Sequence, residues 1–302
     1  MNTSPKIHIL DLDFLDESSS IASFLIESNE GLILIESGPE TTFEHLKSAI
    51  AQKGFDWKDI HHILLTHIHF DHAGAAWKFA RNGAKIYVNS VGLLHLQNPE
   101  KLWNSAKMIY QDDMERLWGN MEPIDENLMV AADDGAVLTI GGLEFIVHYT
   151  PGHAVHHNAY QLGNIIFTGD VAGVKIKEGP VVPPCPPPDI NIGLWKESIG
   201  KLKNLDAKFL YLTHFGKVEN PEKHLDELEV ILDGWANWMK PFFDEGISPD
   251  EITPKFMDYT KNQLIEAGVS KENLIRYEYA NPSWMSVAGL LRYWKLKEQG
   301  RI

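Results

Sequence analysis

The stretch Ile63-Leu64-Leu65-Thr66-His67-Ile68-His69-Phe70-Asp71-His72 runs an apolar segment straight into four side chains that can hold a metal ion. If the chain stays extended past Leu65, then His67, His69 and Asp71 share a parity and point to one side. His72 falls where the chain turns into the next helix. Imidazole nitrogen and carboxylate oxygen suit zinc, iron or manganese better than calcium. A lone H-x-H reads most simply as a solvated turn, so the question is whether matching ligands recur.

They recur at three later turns. Tyr149-Thr150-Pro151-Gly152-His153, Phe167-Thr168-Gly169-Asp170 and Leu212-Thr213-His214 each place a ligand just after a strand-like run. Loops on a rigid scaffold are where functional groups gather. Five histidines and two aspartates are too many for one tetrahedral ion. They suit two adjacent ions with an open position for water or substrate.

A chain of 302 residues can bury a full core, as one large domain or a domain with an extension. Its 44% hydrophobic and 23% charged content is ordinary for a soluble globular protein. A net charge of −15 opposes nucleic acid and anionic membrane, which weighs against a nuclease. The expected partner is a small molecule, anionic in character, with no nucleic acid and no membrane; a homodimer is left open. The single cysteine, Cys185, allows no intrachain disulfide and no cysteine zinc site. It reads as an incidental small residue within Val181-Val182-Pro183-Pro184-Cys185-Pro186-Pro187-Pro188. Residues 1–6 lack a signal-peptide pattern, and no apolar run reaches the ~20 residues of a membrane span. A cytoplasmic location is expected.

Residues 6–12, 20–27 and 32–36 read as strands, the last two joined as a hairpin at Ser28-Asn29-Glu30-Gly31. A helix is expected over 41–53, then a strand over 60–65, a helix over 73–81 and a strand over 85–89. Between 91 and 132 lies a helical insert, starting near Asn98-Pro99, with Trp103, Tyr110, Met114 and Trp118 at near-helical spacing. It either packs on the core or forms a lid over an adaptable apolar pocket. Hairpins follow at Gly141-Gly142 and Gly163-Asn164, then a Pro-rich loop, a helix over 194–205 and a last core strand over 209–213. Helices are expected over 221–243, 249–267 and 282–298. The domain plan is a catalytic domain over 1–220, with 91–132 as its insert, and a helical extension over 221–302 packed on it.

The H-x-H-x-D-H cluster, the T-P-G-H turn, the T-G-D turn and the final T-H resemble, in family order over roughly residues 21–216, the metallo-β-lactamase superfamily of metallohydrolases. The branch in view is that of hydroxyacylglutathione hydrolase and the lactonases. The resemblance implies an α/β fold, an αββα sandwich of two mixed β-sheets with metals at one edge, here with a C-terminal helical extension. Carried onto this chain, it implies that His67, His69 and His153 hold one divalent metal. Asp71, His72 and His214 would hold a second, with Asp170 bridging; zinc is expected at both, with iron or manganese as alternatives. Where the family often has Asp in a D-x-G pattern, this chain has Glu36-Ser37-Gly38. Glu36 is read as a group behind the ligands rather than a ligand. His61, His62, His156 and His157 sit near ligands in sequence but read first as structural. His8, His45, His95, His148 and His224 read as ordinary, and the acidic helix around His224 as a solvated face.

Two divalent ions, less the charges of Asp71, Asp170 and a hydroxide, leave the site at about +1, which favours an anionic substrate or a developing oxyanion. Water bound there can have its pKa lowered from ~15.7 to about 7. The expected reaction is attack of a metal-bridging hydroxide on a carbonyl, with Asp71, His72 and Asp170 as catalytic residues. The bond would be an ester, thioester or lactone of a small organic acid. Lys175 or Lys177 could meet a carboxylate or phosphate, and Trp103 and Tyr110 of the insert could wall the pocket. The alternatives are a mononuclear iron enzyme like persulfide dioxygenase, a phosphodiesterase, and a non-catalytic metal-bound scaffold. The complete ligand set favours two-metal hydrolysis.

Overall fold

The computed structural model describes residues 5–302, so the part of the leader reading that falls on residues 1–4 lies outside the described residues. The strands form two six-stranded sheets, in the orders β1-β2-β3-β4-β5-β6 and β12-β11-β10-β9-β8-β7. The chain divides into two compact units: residues up to Tyr149 with His156–Phe167, and Thr150–Val155 with Thr168–Ile302.

The first unit begins with β1 (Lys6–Asp11), β2 (Ala22–Ser28) and β3 (Gly31–Ile35), an antiparallel meander. Its tight turn is held by Ser28, whose hydroxyl donates to the Gly31 carbonyl at 2.7 Å. From β3 onward the pairing becomes parallel, which demands a crossover between each pair of strands. The helix α1 (Phe43–Gln52) leads to β4 (Ile60–Leu64), then α2 (Phe70–Ala73) and α3 (Ala76–Arg81) lead to β5 (Lys85–Val88). The helices α4 (Ser90–Gln97), α5 (Glu100–Tyr110) and α6 (Met114–Trp118) lead to β6 (Met129–Ala131). The expected insert is therefore a long crossover that ends in an edge strand. Three residues are too few to show a strand period, so β6 is not evident from the sequence.

The strands β7 (Val137–Ile140), β8 (Leu143–Tyr149), β9 (Asn158–Leu162) and β10 (Ile165–Phe167) pair antiparallel in succession. Their faces meet the first sheet. Phe24 of β2 packs on Phe167 of β10 with ring centroids 5.5 Å apart, and Tyr160 of β9 is wholly buried. A buried phenol needs a partner, and the Tyr160 hydroxyl donates to the Leu65 carbonyl at 2.9 Å. That bond fixes the end of β4, where the ligand cluster begins.

The second unit carries α7 (Ile192–Lys203), the hairpin of β11 (Phe209–Leu212) and β12 (Gly216–Val218), and four helices. These are α8 (Pro221–Asp244), α9 (Pro249–Glu266), α10 (Lys271–Ala280) and α11 (Ser283–Glu298). Asparagine or serine side chains cap α7, α8, α9 and α10, satisfying N–H groups that have no partner inside the helix. Two of these elements depart from expectation. Strand β12 follows the strand that was expected to be last, and α10 fills what read as a connection. No helix among the described residues is long and apolar enough to cross a membrane.

Candidate metal centre

The cluster leaves β4 and becomes a helix sooner than its sequence implies. His69 is still extended (φ −61°, ψ 154°), but it caps α2, so Asp71 and His72 come from a helical turn. This corrects the expectation that His67, His69 and Asp71 converge along an extended chain. The helical turn still gathers them: Nε2 of His67 lies 2.9 Å from Nδ1 of His69, and Nε2 of His72 lies 3.6 Å from Oδ2 of Asp71.

Behind these ligands sits Glu36, wholly buried, with φ at +62°, a left-handed conformation that is uncommon for residues other than glycine. Its carboxylate can only accept, so the assignment of protons around it follows. Nδ1–H of His72 donates to Oε1 at 3.1 Å, Thr66 N–H donates to Oε2 at 3.2 Å, and the Thr66 hydroxyl donates to Oε1. With its proton committed to Glu36, the Thr66 oxygen accepts Nδ1–H of His67 at 3.1 Å. One carboxylate thus sets the tautomer of two histidines, His72 directly and His67 through Thr66, leaving Nε2 of each unprotonated and suited to a cation. Glu36 stands where the sequence placed it. The sequence does not mark Thr66 as a relay, because the carboxylate it bonds lies 30 positions away.

The second unit builds its candidate ligands around Trp195 of α7. Gly152 has φ at +131°, and a Cβ there would lie 2.3 Å from the Trp195 Cα, so the T-P-G-H turn needs its glycine. The Trp195 indole N–H donates to the Val171 carbonyl at 2.7 Å, and its ring lies edge-on to His153 at 5.6 Å. His153 donates Nδ1–H to the Pro184 carbonyl at 2.9 Å. Its Nε2 lies 3.3 Å from Oδ2 of Asp170, whose other oxygen, Oδ1, lies 3.5 Å from Nε2 of His214. His214 is fixed through its backbone, its carbonyl accepting from Lys175 N–H at 2.6 Å.

Two groups of ligand atoms, each within 4.8 Å of one another, result: one from His67, His69 and His153, the other from Asp71, His72, Asp170 and His214. All seven predicted ligands fall in these groups. Imidazole nitrogens and carboxylate oxygens pointed at each other repel unless a proton or a cation lies between them, so this donor set fits divalent metal ions.

The remaining candidates stand outside these two groups. His157 and His156 pack on His67 with ring centroids 4.9 and 6.1 Å away. His62 turns to the Tyr87 hydroxyl at 3.0 Å. The Lys175 ammonium donates to the Gly179 carbonyl at 2.6 Å, and burial holds its pKa below the usual lysine range. In the insert, Trp103 lies edge-on to Phe70 at 5.8 Å and Tyr110 edge-on to Trp118 at 5.3 Å. Burial and then the charge of Asp71 raise the Tyr110 pKa, so the phenol stays protonated. Met114 and Trp118 are core, while Leu94 and Met108 are exposed. His224, expected on a solvated face, is buried and donates Nε2–H to the Ala172 carbonyl at 2.7 Å.

The family model described as the metallo-beta-lactamase superfamily matches residues 19–214, which include all seven of these candidate ligands. The chain belongs to this superfamily. It is 29% identical over 220 residues to the metallo-beta-lactamase fold-containing protein ST1585 of Sulfurisphaera tokodaii, covering 70% of this chain and 80% of that one. The crystal structure of ST1585 from Sulfolobus tokodaii aligns with a TM-score of 0.62 at 24% identity, over 76% of this chain and 87% of that chain. The metallo-beta-lactamase family protein TTHA1429 from Thermus thermophilus aligns over 97% of this chain and 94% of its own, with a TM-score of 0.70 at 19% identity. The last alignment extends the shared fold through the C-terminal helices. Members of this superfamily are mostly metal-dependent hydrolases, and the His/Asp cluster agrees with that general activity.

Proposed function

We propose that the protein is a binuclear metallohydrolase of the hydroxyacylglutathione hydrolase and lactonase type, cleaving an ester, thioester or lactone of a small organic acid. The observation that carries this reading is Asp170: its two oxygens address two different histidines, His153 at 3.3 Å and His214 at 3.5 Å, one from each ligand group. A carboxylate used in this way suits a bridge between two ions. His67, His69 and His153 would hold one zinc ion, and Asp71, His72 and His214 the other, with Asp170 shared. When bound, two divalent ions supply an acidified water and polarise a carbonyl oxygen.

The chain's own groups divide the remaining work. Asp71 is the more open carboxylate, its side chain 21% exposed against 4% for Asp170. It is placed to orient the attacking water and take its proton, while Asp170 stays committed to the ligands. His72 is held rigid by Glu36 and His153 by Pro184, so the site is arranged before substrate arrives. The neutral Tyr110 phenol beside Asp71 can donate a hydrogen bond to substrate. The substrate is a small anionic molecule, because the site gathers cations within a chain of net charge −15.

The deciding experiment is elemental analysis of metal-reconstituted protein, followed by a panel of esters, thioesters, lactones and phosphodiesters. Two zinc ions per chain and hydrolysis of a carbonyl substrate are expected. One iron per chain with oxygen consumption, or retained metal with no hydrolysis anywhere on the panel, would overturn the proposal.

A further inference from the structure

We propose that α10 and α11 position the metal-ligating His153, acting through the Pro-rich loop over residues 183–188. This rests on the metal-site reading above and adds to it a set of positioning residues in the C-terminal helices.

The loop reads Pro183-Pro184-Cys185-Pro186-Pro187-Pro188, so Cys185 has its one backbone N–H. A segment with so few donors cannot tie itself down by a backbone ladder. Yet it carries the Pro184 carbonyl, the acceptor that fixes the ring and tautomer of His153 at 2.9 Å. Something else must hold that carbonyl still.

Asn281, which caps the end of α10, and Ser286 in the first turn of α11 do so on both sides. Asn281 Nδ2–H donates to the Pro183 carbonyl at 3.1 Å, and Cys185 N–H donates to the Ser286 hydroxyl at 3.4 Å. The Ser286 hydroxyl in turn donates to Oδ1 of Asn281 at 3.0 Å, tying the two clamps to each other. Asn281 and Ser286 are both buried, at 8% and 0% exposure, so water does not compete for these bonds. One turn along α11, Gly289 lets the helix touch the loop: a Cβ there would lie 1.9 Å from the Cys185 carbonyl oxygen. Farther out, Arg292 Nε–H donates to the Pro188 carbonyl at 2.9 Å, and the Tyr277 hydroxyl of α10 donates to the Pro180 carbonyl at 2.6 Å. The bonds run from helix to loop to Pro184 to His153, and each link is a single hydrogen bond or a steric contact.

Loss of a group behind a metal ligand typically costs ten- to a hundredfold in metal affinity. Gly289→Ala should push the loop off its seat, and Asn281→Ala should release it. Each is expected to weaken binding of one of the two zinc ions about tenfold, with the other unchanged, as read by chelator competition on folded protein. Trp294→Phe is the control. It removes the indole N–H that donates to the Ala236 carbonyl at 2.9 Å and so loosens α11 without touching the loop. It should lower Tm and leave both affinities as they were.

A second measurement needs no metal. In the metal-free protein, long-range 15N–1H NMR of His153 should show Nδ1–H in the wild type and a mixture of tautomers in Gly289→Ala. Unchanged affinities and an unchanged His153 tautomer in both loop variants would overturn the proposal. So would equal weakening of both ions in all three variants, which is what general destabilisation gives. A wild type that binds no zinc but shows the tautomer shift would overturn the metal reading and leave the positioning role standing.

Discussion

Oε1 of Glu36 lies 3.1 Å from Nδ1 of His72, and neither side chain is exposed to solvent. The same carboxylate receives Thr66 N–H and the Thr66 hydroxyl, so donors meet it on every side. Glu36→Gln keeps the shape but turns an NH2 group towards a donor. Leaving buried donors unmatched costs ~1–3 kcal/mol. The variant should fold, melt lower in its metal-free form, and bind both ions at least about tenfold more weakly. Chelator competition and thermal unfolding check both parts; wild-type affinity for both ions would mean that Glu36 does not orient the site.

Thr66 separates the two halves of that effect. Its hydroxyl links Glu36 to Nδ1 of His67 and makes no bond to His72, although both donate to Oε1 of Glu36. Thr66→Val removes the link at nearly constant volume. One ion should be lost about tenfold more readily and the other held as before. Equal weakening of both would refute the relay.

Asp170→Asn tests the bridge. The amide keeps one carbonyl oxygen for His153 or His214 but cannot serve both as an anion. Metal content is expected to fall from two ions to one or none, and hydrolysis by about a hundredfold or more, with the circular dichroism spectrum intact. Two ions bound at wild-type affinity would remove the main support for a binuclear centre.

Tyr110→Phe asks what the insert contributes. The phenol lies close enough to Asp71 for that charge to raise its pKa further, so it remains a donor throughout the working pH range. Metal content should not change, whereas kcat/KM should fall about tenfold, the size of one lost hydrogen bond to a substrate. Steady-state kinetics with the substrate found by the panel make the comparison, and unaltered kinetics would reduce Tyr110 to a packing residue.

The parts of this protein that could be read from its sequence are those with local causes. His67, His153, Asp170 and His214 each follow a strand whose apolar run ends abruptly, so these candidate ligands announce themselves. Glu36 could be placed behind the candidate ligands because Glu36-Ser37-Gly38 stands where the resembled family often has Asp in a D-x-G pattern. What stayed hidden has causes far along the chain. Pro184 matters through a backbone carbonyl, and Asn281 reaches its neighbour Pro183 across 98 positions with no trace in the intervening sequence. Short elements are lost for another reason. The three residues of β6 and of β12 cannot display a period of two, and the helical turn of α2 disguises itself as a continued strand. His224 misled because its helix is acidic on the turn around it, while the histidine itself faces inward.

That burial makes stability depend on pH. His224 donates Nε2–H to the Ala172 carbonyl, and its Nδ1 has no hydrogen-bond partner among the described residues. Charging the ring would strand a second N–H in the interior. Burial therefore pushes its pKa down to about 4, against 6.5 when exposed, although the Ala172 bond opposes the shift. A depressed pKa means that the unfolded chain takes up the proton first. Stability is thus complete above pH 6.5 and is lost progressively as the pH falls towards 4, by a total of about 3 kcal/mol. Metal-free protein should be used, so that ion release in acid does not enter. Urea unfolding between pH 7 and about pH 4 should show the decline in the wild type, and His224→Gln, which keeps the donor to Ala172 but cannot titrate, should flatten it. Identical slopes in the two proteins would mean that another group carries the acid sensitivity.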